Sequence, residues 1–336
     1  MSSAILQNNP ISLLIVIVNY RTPSLVIECL RSLVDEIPTL PTTNVVVVDN
    51  ASGDGSVEQI GAAITNEGWE KWVSFIPSEQ NGGYAYGNNL GIRPALNSPN
   101  PPAYVFLLNP DTIVRPGAIK ILIEFMEKHP EVGIGGSGME NLDGVQRPAA
   151  FRFHTVQSEL DAGLRLGIVS KLLSKWIIAA PKSSEPCPTD WVPGAGMMIR
   201  REVFESVGLM DEEYFLYFEE TDFCLQAKRA GWSCWYVPQS RVVHFPGSST
   251  GVTSTKSTPK RRPQYWFDSR RRYFTKNYGW LYAALADSAW IFGYSLWRVR
   301  QVIQGKPDND PPQLLSDFLQ NSLFVKGTFN SANVHK

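Results

Sequence analysis

Short apolar runs separated by segments of helical periodicity order the first third of the chain. Residues 11–18 (ISLLIVIV) and 44–49 (NVVVVD) are continuous and rich in β-branched side chains, the pattern of strands covered on both faces. Between them, over residues 23–34, Leu25, Cys29, Leu30 and Leu33 recur at helical spacing, so the opening reads strand, helix, strand. The rhythm continues with a helical segment at 56–66, a strand at 73–76, a Gly/Asn-rich turn into a helix over 84–96, and a strand at 104–108. A helix over 116–128 follows, with Pro116 in its first turn and His129-Pro130 closing it. Residues 133–138 are strand or loop.

From 141 to 187 the periodicity weakens, and a helix near 157–175 is the one element the spacing supports. Order returns with a strand over 195–199, a short helix over 201–207 ending at Gly208, and a helix over 219–229 ended by Gly231. Residues 246–263 are rich in Ser, Thr, Gly and Lys, which predicts a mobile loop, and the chain beyond is helical and aromatic. The expected division is an α/β unit over 1–250, then the loop and a C-terminal helical extension over 251–336.

Composition narrows the partners. Hydrophobic residues at 43% suffice for a buried sheet, and a formal net charge of −1 gives no field that favours a polyanion, so nucleic acid is not an expected partner. The four cysteines, Cys29, Cys187, Cys224 and Cys234, form no CxxC pair, which fits a reducing, cytoplasmic setting. Residues 11–18 lack a preceding basic stretch and fall far short of the ~20 residues that span a bilayer. Residues 281–303 are apolar apart from Asp287, Arg298 and Arg300. Those charges argue for a helix packed on the main unit, or lying peripherally on the inner face of a membrane, and against a span.

Candidate chemistry gathers at strand ends, where ligands bind in open α/β sheets. Asp49 closes the second apolar run and precedes NASGDG at 50–55; capping a helix or turn and binding a ligand remain equal readings for it. Asp111 follows the 104–108 strand through Asn109-Pro110. A rigid carboxylate there suits Mg²⁺ or Mn²⁺, which take oxygen ligands and keep phosphate oxygens in their shell. Residues 211–222 (DEEYFLYFEETD) crowd acids around aromatics at a helix start. Complementing the helix dipole accounts for only ~0.3–1 kcal/mol per charge, whereas packed carboxylates raise one another's pKa and so tune a general base. His244 stands at a strand-to-loop junction, either as a satisfied structural residue or as a nitrogen ligand at the edge of the same site. The segment NGGYAYGNN at 81–89 is neither a P-loop nor a dinucleotide fingerprint. Its glycines are read as letting backbone and Asn amides, Asn81 among them, approach a sugar or phosphate.

These segments together resemble the inverting family 2 glycosyltransferases of the GT-A fold, in particular the rhamnosyltransferase-like branch. The resemblance rests on IVNY (17–20), VVVDNASGDGS (46–56), NGGYAYGNNLG (81–91), LLNPD (107–111), PGAG through RAGW (193–232) and VVHFPGSS (242–249), in family order over about three quarters of the chain. It implies a Rossmann-like α/β sandwich with a mainly parallel central sheet, plus C-terminal helices. It also implies a nucleotide site at Val18, Tyr20 and Asp49, with Asn81 and Asn109 beside it. Asp111 would be the last acid of a DXD-like motif reduced to Asn109-Pro110-Asp111, with His244 as a further ligand of Mg²⁺ or Mn²⁺. Glu220 takes the place of the catalytic base and Asp222 is the reserve; Glu219 and Asp222 otherwise orient the acceptor or brace the base.

The reaction so implied is a single in-line displacement with inversion, from a dTDP- or UDP-sugar to a cell-surface glycan or lipid-linked acceptor, with rhamnose favoured. The 247–260 loop and Lys260-Arg261-Arg262 would close over the diphosphate, while Arg270-Arg271-Arg272 would face a lipid diphosphate or solvent. Two other readings compete. A sugar nucleotidyltransferase would show a Gly-rich signature with a basic residue near the N-terminus, unlike Val18-Asn19-Tyr20-Arg21. An inactive sugar-binding scaffold of the same fold would not be expected to keep Asp49, Asp111 and Glu220.

Overall fold

A computed structural model of the protein describes residues 12–245 and 259–328. In chain order these form β1 (Ser12–Asn19), α1 (Pro23–Leu33), β2 (Thr42–Asp49), α2 (Ser56–Asn66), β3 (Val73–Pro77), α3 (Gly83–Leu96), β4 (Tyr104–Leu108), β5 (Thr112–Val114), α4 (Ala118–Lys128) and β6 (Val132–Glu140). There follow α5 (Val156–Leu164), α6 (Gly167–Leu172), β7 (Cys187–Thr189), β8 (Met197–Arg200), α7 (Arg201–Val207), α8 (Glu219–Arg229), β9 (Ser233–His244), α9 (Gln264–Ile303), α10 (Leu314–Asn321) and α11 (Leu323–Lys326).

The strands make one sheet in the order β3-β2-β1-β4-β8-β6-β9-β5, with β7 also on β9. The first four are mutually parallel. β8 runs against both β4 and β6, and β5 and β7 run against β9, which is parallel to β6. Six of the nine strands therefore share a direction, and the sheet is mainly parallel.

Because successive strand residues face opposite sides, β1 feeds two cores at once. Leu13, Ile15 and Ile17 join Val26, Leu30 and Leu33 of α1 and Leu122 and Met126 of α4, all buried. Leu14, Val16 and Val18 join Ala85 and Ile92 of α3, Phe223 of α8, and Tyr273 and Phe274 of α9. The continuous apolar runs are the signature of this double coverage. The same contacts give α9 a share of the second core, so the C-terminal extension is packed into the α/β unit.

Gly87 and Gly91, one helical turn apart, explain how α3 sits on the sheet. A Cβ at Gly87 would lie 2.6 Å from Val18 Cγ1, and one at Gly91 would lie 3.1 Å from Val16 and 3.2 Å from Val46. Both glycines serve helix–sheet packing, and for Gly87 this replaces the reading that it lets amides approach a sugar or phosphate.

Several boundaries differ from expectation for local reasons. The predicted 157–175 helix is broken after Leu164, where Arg165 turns left-handed at φ 49°. Pro116 lies outside α4, whose N-cap is Gly117 at φ 78°. Residues 194–196 form a tight turn ahead of β8. The three-residue strands β5 and β7, and the first part of β9, carried no periodic signal. Gly279, at φ 82°, divides α9 into two helical segments. The loop expected over 246–263 falls outside the described residues from 246 to 258.

Candidate active site

Strand register assembles the first half of the site. β5 runs antiparallel to β9 with Thr112 opposite His244, and the Phe245 amide donates to the Asp111 carbonyl at 3.0 Å. This brings His244 Nε2 to 3.3 Å from Asp111 Oδ1. The turn ahead of Asp111 is pinned by the Thr112 hydroxyl, which donates to the Asn109 carbonyl at 2.7 Å. The side-chain oxygen of Asn109 is buried with no partner. Asp111 and His244 supply one oxygen and one nitrogen; among the described residues no third His, Cys, Asp or Glu completes a metal-binding group. A two-ligand set fits Mg²⁺ or Mn²⁺ where diphosphate oxygens and water fill the remaining positions.

The second half is built at the N-terminus of α8. Tyr217 and Phe218, at φ 71° and 69°, are consecutive non-glycine residues in the left-handed region, an arrangement that costs about 1–3 kcal/mol per residue. Packing holds them there. The Phe218 ring lies 4.8 Å from His154, 5.4 Å from Tyr273 and 6.5 Å from Trp266, and the Tyr217 ring stacks 6.0 Å from Tyr265. The preceding backbone is clamped as well: the Tyr84 amide donates to the Phe215 carbonyl at 2.8 Å, and the Ser269 hydroxyl to the Leu216 carbonyl at 2.9 Å. Only glycine fits at position 83, since a Cβ there would lie 2.0 Å from the Phe215 oxygen.

This turn delivers Glu219 and Glu220 as the first residues of α8. Glu220 Oε1 accepts from the Gly194 amide at 2.9 Å, and the Tyr84 hydroxyl donates to the Gly194 carbonyl at 3.1 Å. A Cβ on Gly194 would lie 2.3 Å from Tyr84 Oη and 3.0 Å from Glu220 Oε1. Burial raises the Glu220 pKa above its ordinary 4.5, while the Gly194 amide and the nearby His244 pull the other way. Burial, and then the neighbouring Glu220 charge, push Glu219 well above the same value, and its Oε2 is buried without a partner. Burial thus favours the protonated form at this pair of glutamates. Burial, and then the nearby carboxylates, Glu220 foremost, push the Tyr84 phenol well above its ordinary value.

Asp222 is turned the other way. It is buried, and its carboxylate accepts from Lys276 Nζ at 2.6 Å, Asn277 Nδ2 at 2.6 Å and Gln226 Nε2 at 3.3 Å. It ties α8 to α9. Lys276 also reaches Asp211, which Arg272 grips with both nitrogens. The Arg270-Arg271-Arg272 run faces neither a lipid diphosphate nor open solvent. Arg270 is buried between Glu159 and Asp287, Arg271 pairs with Asp268, and Arg272 pairs with Asp211. Of the earlier basic run, Arg261 pairs with Asp317 and Arg262 lies over the Trp266 ring.

On the opposite rim, Asn19 and Asp49 are register partners at the ends of β1 and β2. The Asp49 carboxylate accepts from Asn19 Nδ2 at 2.7 Å, from the Ser52 hydroxyl at 2.6 Å and from the Ser52 amide at 3.0 Å. Three of its acceptor positions are spent on the loop that follows β2. Asn81 Oδ1 accepts from Asn50 Nδ2 at 2.9 Å and from the Gly83 amide at 3.1 Å, tying that loop to the start of α3. Val18 is buried beneath Gly87, and the half-buried Tyr20 ring carries the Arg21 guanidinium 5.0 Å from its centre. The side-chain oxygens of Asn50 and Asn88 are buried without partners.

Asp111, His244 and Glu220 thus come together, Val18, Tyr20, Asp49, Asn81 and Asn109 line strand ends and loops beside them, and Asp222 is directed away. Tyr84, Gly194 and the strained Tyr217-Phe218 pair escaped the sequence reading. Their signals, YAY after a double glycine and GAG before a strand, acquire meaning only through long-range contacts.

The sequence model described as glycosyl transferase family 2 matches residues 14–208. An N-acetylglucosaminyl-diphospho-decaprenol L-rhamnosyltransferase of Mycobacterium tuberculosis is 28% identical over 222 residues, covering 62% of this chain and 68% of that protein. The low-salt glycan biosynthesis hexosyltransferase Agl10 of Haloferax volcanii is 28% identical over 274 residues, covering 78% of this chain and 75% of that protein. Among solved structures, GalNAc-T7 with UDP, GalNAc and Mn²⁺ superposes with a TM-score of 0.59 at 16% identity, over 94% of this chain and 55% of that one. The mannosyltransferase PcManGT of Pyrobaculum calidifontis, with GDP-Man and Mn²⁺, gives 0.53 at 14% identity, over 88% and 75%. The structural likenesses carry the GT-A fold, and the matched domain places the chain in glycosyl transferase family 2.

Proposed function

We propose that the protein is an inverting, metal-dependent glycosyltransferase that moves a sugar, rhamnose by preference, from a dTDP- or UDP-linked donor to a hydroxyl of a lipid-linked or cell-surface glycan. The observation that carries this reading is the convergence of the Asp111–His244 pair and the Gly194-anchored Glu220 at one edge of the sheet. Its rhamnosyl and lipid-linked elements draw on the names of the relatives.

Asp111 and His244 would hold Mg²⁺ or Mn²⁺, which supplies charge neutralisation for a departing diphosphate. Val18 and Tyr20 flank the nucleobase, and Asp49 shapes that pocket through Asn19 and Ser52. The partnerless amide oxygens of Asn50, Asn88 and Asn109 are acceptors suited to ribose or sugar hydroxyls. Glu220 Oε2 takes the acceptor proton as the acceptor oxygen attacks the anomeric carbon opposite the leaving group. The Gly194 amide holds Oε1, so the carboxylate keeps one aim during proton transfer. Glu219 stays neutral beside it and adds no second charge. Asp222 fixes the helix that carries the base. The enzyme meets its acceptor at the cytoplasmic face of a membrane.

A panel of nucleotide-sugars, assayed for released nucleoside diphosphate with Mn²⁺, Mg²⁺ or chelator, tests the reading. Turnover of a dTDP- or UDP-sugar that needs metal and is lost in Asp111→Ala supports it. Undiminished turnover in chelator removes the metal from the proposal, and absence of turnover with every donor favours the inactive scaffold.

A further inference from the structure

The second segment of α9 is two-faced. Ala283, Ala286, Trp290, Gly293, Tyr294 and Gln301 are buried against the rest of the protein. Turned the other way are Leu281, Leu285, Phe292, Leu296, Val299 and Ile303, 68%, 51%, 59%, 44%, 59% and 79% exposed. At 3.6 residues per turn these six fall within roughly 60° of rotation, in a stripe about 33 Å long. Ser288, Ala289 and Ser295 fill the gaps, so no charge interrupts it.

The charges that break the sequence pattern of this helix point elsewhere. Asp287 is buried with Arg270, Arg298 pairs with Asp308, and Arg300 donates to the carbonyls of Leu164 and Arg165. A contiguous apolar surface of this extent marks an interaction site.

A second element with exposed apolar residues begins close to this helix. α5 and α9 meet backbone to backbone, since a Cβ on Gly293 would lie 2.8 Å from the Leu164 nitrogen, and Arg165 stacks 5.6 Å from the Trp297 ring centre. α6 starts two residues later, at Gly167, and offers Ile168 and Leu172, 67% and 75% exposed.

Charge identifies the occupant. Lys171 and Lys175 beside Leu172, and Lys306 just past α9, are exposed, while the nearby acids Asp308 and Asp310 are already taken by Arg298 and Arg165. Apolar residues fringed by unneutralised lysines match an anionic bilayer surface. A second copy of the chain would instead bring like charges together. No helix among the described residues is long and apolar enough to cross a membrane, so the contact is in the plane of the interface.

We infer that the outward stripe of α9, with α6 beside it, rests on an anionic lipid surface and holds the active site at the bilayer. This rests on the lipid-facing part of the proposed function and specifies the residues that make the contact.

The test is co-sedimentation of the full-length protein with phosphatidylcholine vesicles, with and without phosphatidylglycerol, alongside its solution mass by light scattering. The wild type is expected to bind the phosphatidylglycerol vesicles and to be released by salt. Phe292→Glu/Val299→Glu should lower binding by more than about tenfold, Lys171→Glu/Lys175→Glu by less, and Leu142→Glu, an exposed leucine in another part of the chain, should leave it unchanged. Nucleoside-diphosphate release from a soluble donor should persist in all three. Loss of that release in every protein, wild type included, would sink the transferase reading while vesicle binding still judged the surface. Absent vesicle binding by the wild type overturns the inference, as does a wild-type dimer that Phe292→Glu/Val299→Glu converts to monomer without any lipid effect.

Discussion

The two halves of the site are built to opposite standards. On the nucleotide side, the ends of β1 and β2 form a saturated polar cluster: Asn19, Thr22, Asp49 and Ser52 bond to one another and leave the Asp49 carboxylate three donors. On the catalytic side, the turn into α8 keeps two non-glycine residues left-handed, a carboxylate oxygen without a partner and two adjacent glutamates with raised pKa. A satisfied network gives a fixed shape. Stored strain and unsatisfied charge persist where chemistry needs them and neighbouring packing can hold them.

Paired glycine substitutions break this contrast most sharply. Gly194→Ala forces a methyl onto Tyr84 and Glu220, and transfer should fall by about 10²-fold or more through misplacement of the base, with the circular dichroism spectrum retained. Gly53→Ala, where a Cβ meets nothing within 4 Å but φ is +63°, should cost only about 1–2 kcal/mol of stability and leave kcat alone. Equal effects on rate would erase the distinction.

Tyr217→Gly addresses the strain itself. Glycine takes a positive φ without penalty, so relief at this position opposes the loss of the Tyr217–Tyr265 stack. Urea unfolding should show a stability change within about 1 kcal/mol of zero, while kcat falls as Glu220 loses its fixed aim. A stability loss without a rate loss would make the turn merely structural.

The smallest effect concerns Glu219. Its folded pKa is raised, so the stability associated with its protonated form is full below the unfolded value and is lost as pH rises through the folded value. Glu219→Gln keeps the neutral form at every pH. The variant should gain on wild type as pH increases, with a melting temperature about 2–4 °C higher at neutral pH and transfer preserved. Since burial also raises Glu220, the acid limb of log kcat against pH should lie above 4.5 in both proteins. A limb at or below that value would place the base in a different group.

The two halves also differed in how far the sequence revealed them. β1 and β2 were legible because burial on both faces leaves an uninterrupted apolar run, and Asp111, His244 and Glu220 drew attention as candidates because they stand at or next to the ends of elements. Gly87 was legible as a glycine but not for its purpose, which depends on Val18 lying 69 positions earlier in the chain and directly beneath it. Arg270, Arg271 and Arg272 read as an exposed run because Glu159 and Asp211 are distant in sequence. The first part of β9 was hidden because Pro238 and Gln239 interrupt its apolar pattern. The apolar α9 stripe was masked by charges that turn out to point sideways and inward. Much of what escaped at the site was set by partners far along the chain.

The central claim divides donor anchoring from proton removal. It is tested most directly by measuring donor affinity and transfer in parallel for Glu220→Gln with Mn²⁺ present. The account predicts affinity within about twofold of wild type and transfer reduced by about 10²–10⁴-fold, with Asp222→Asn losing stability more than chemistry. Full turnover by Glu220→Gln would contradict it.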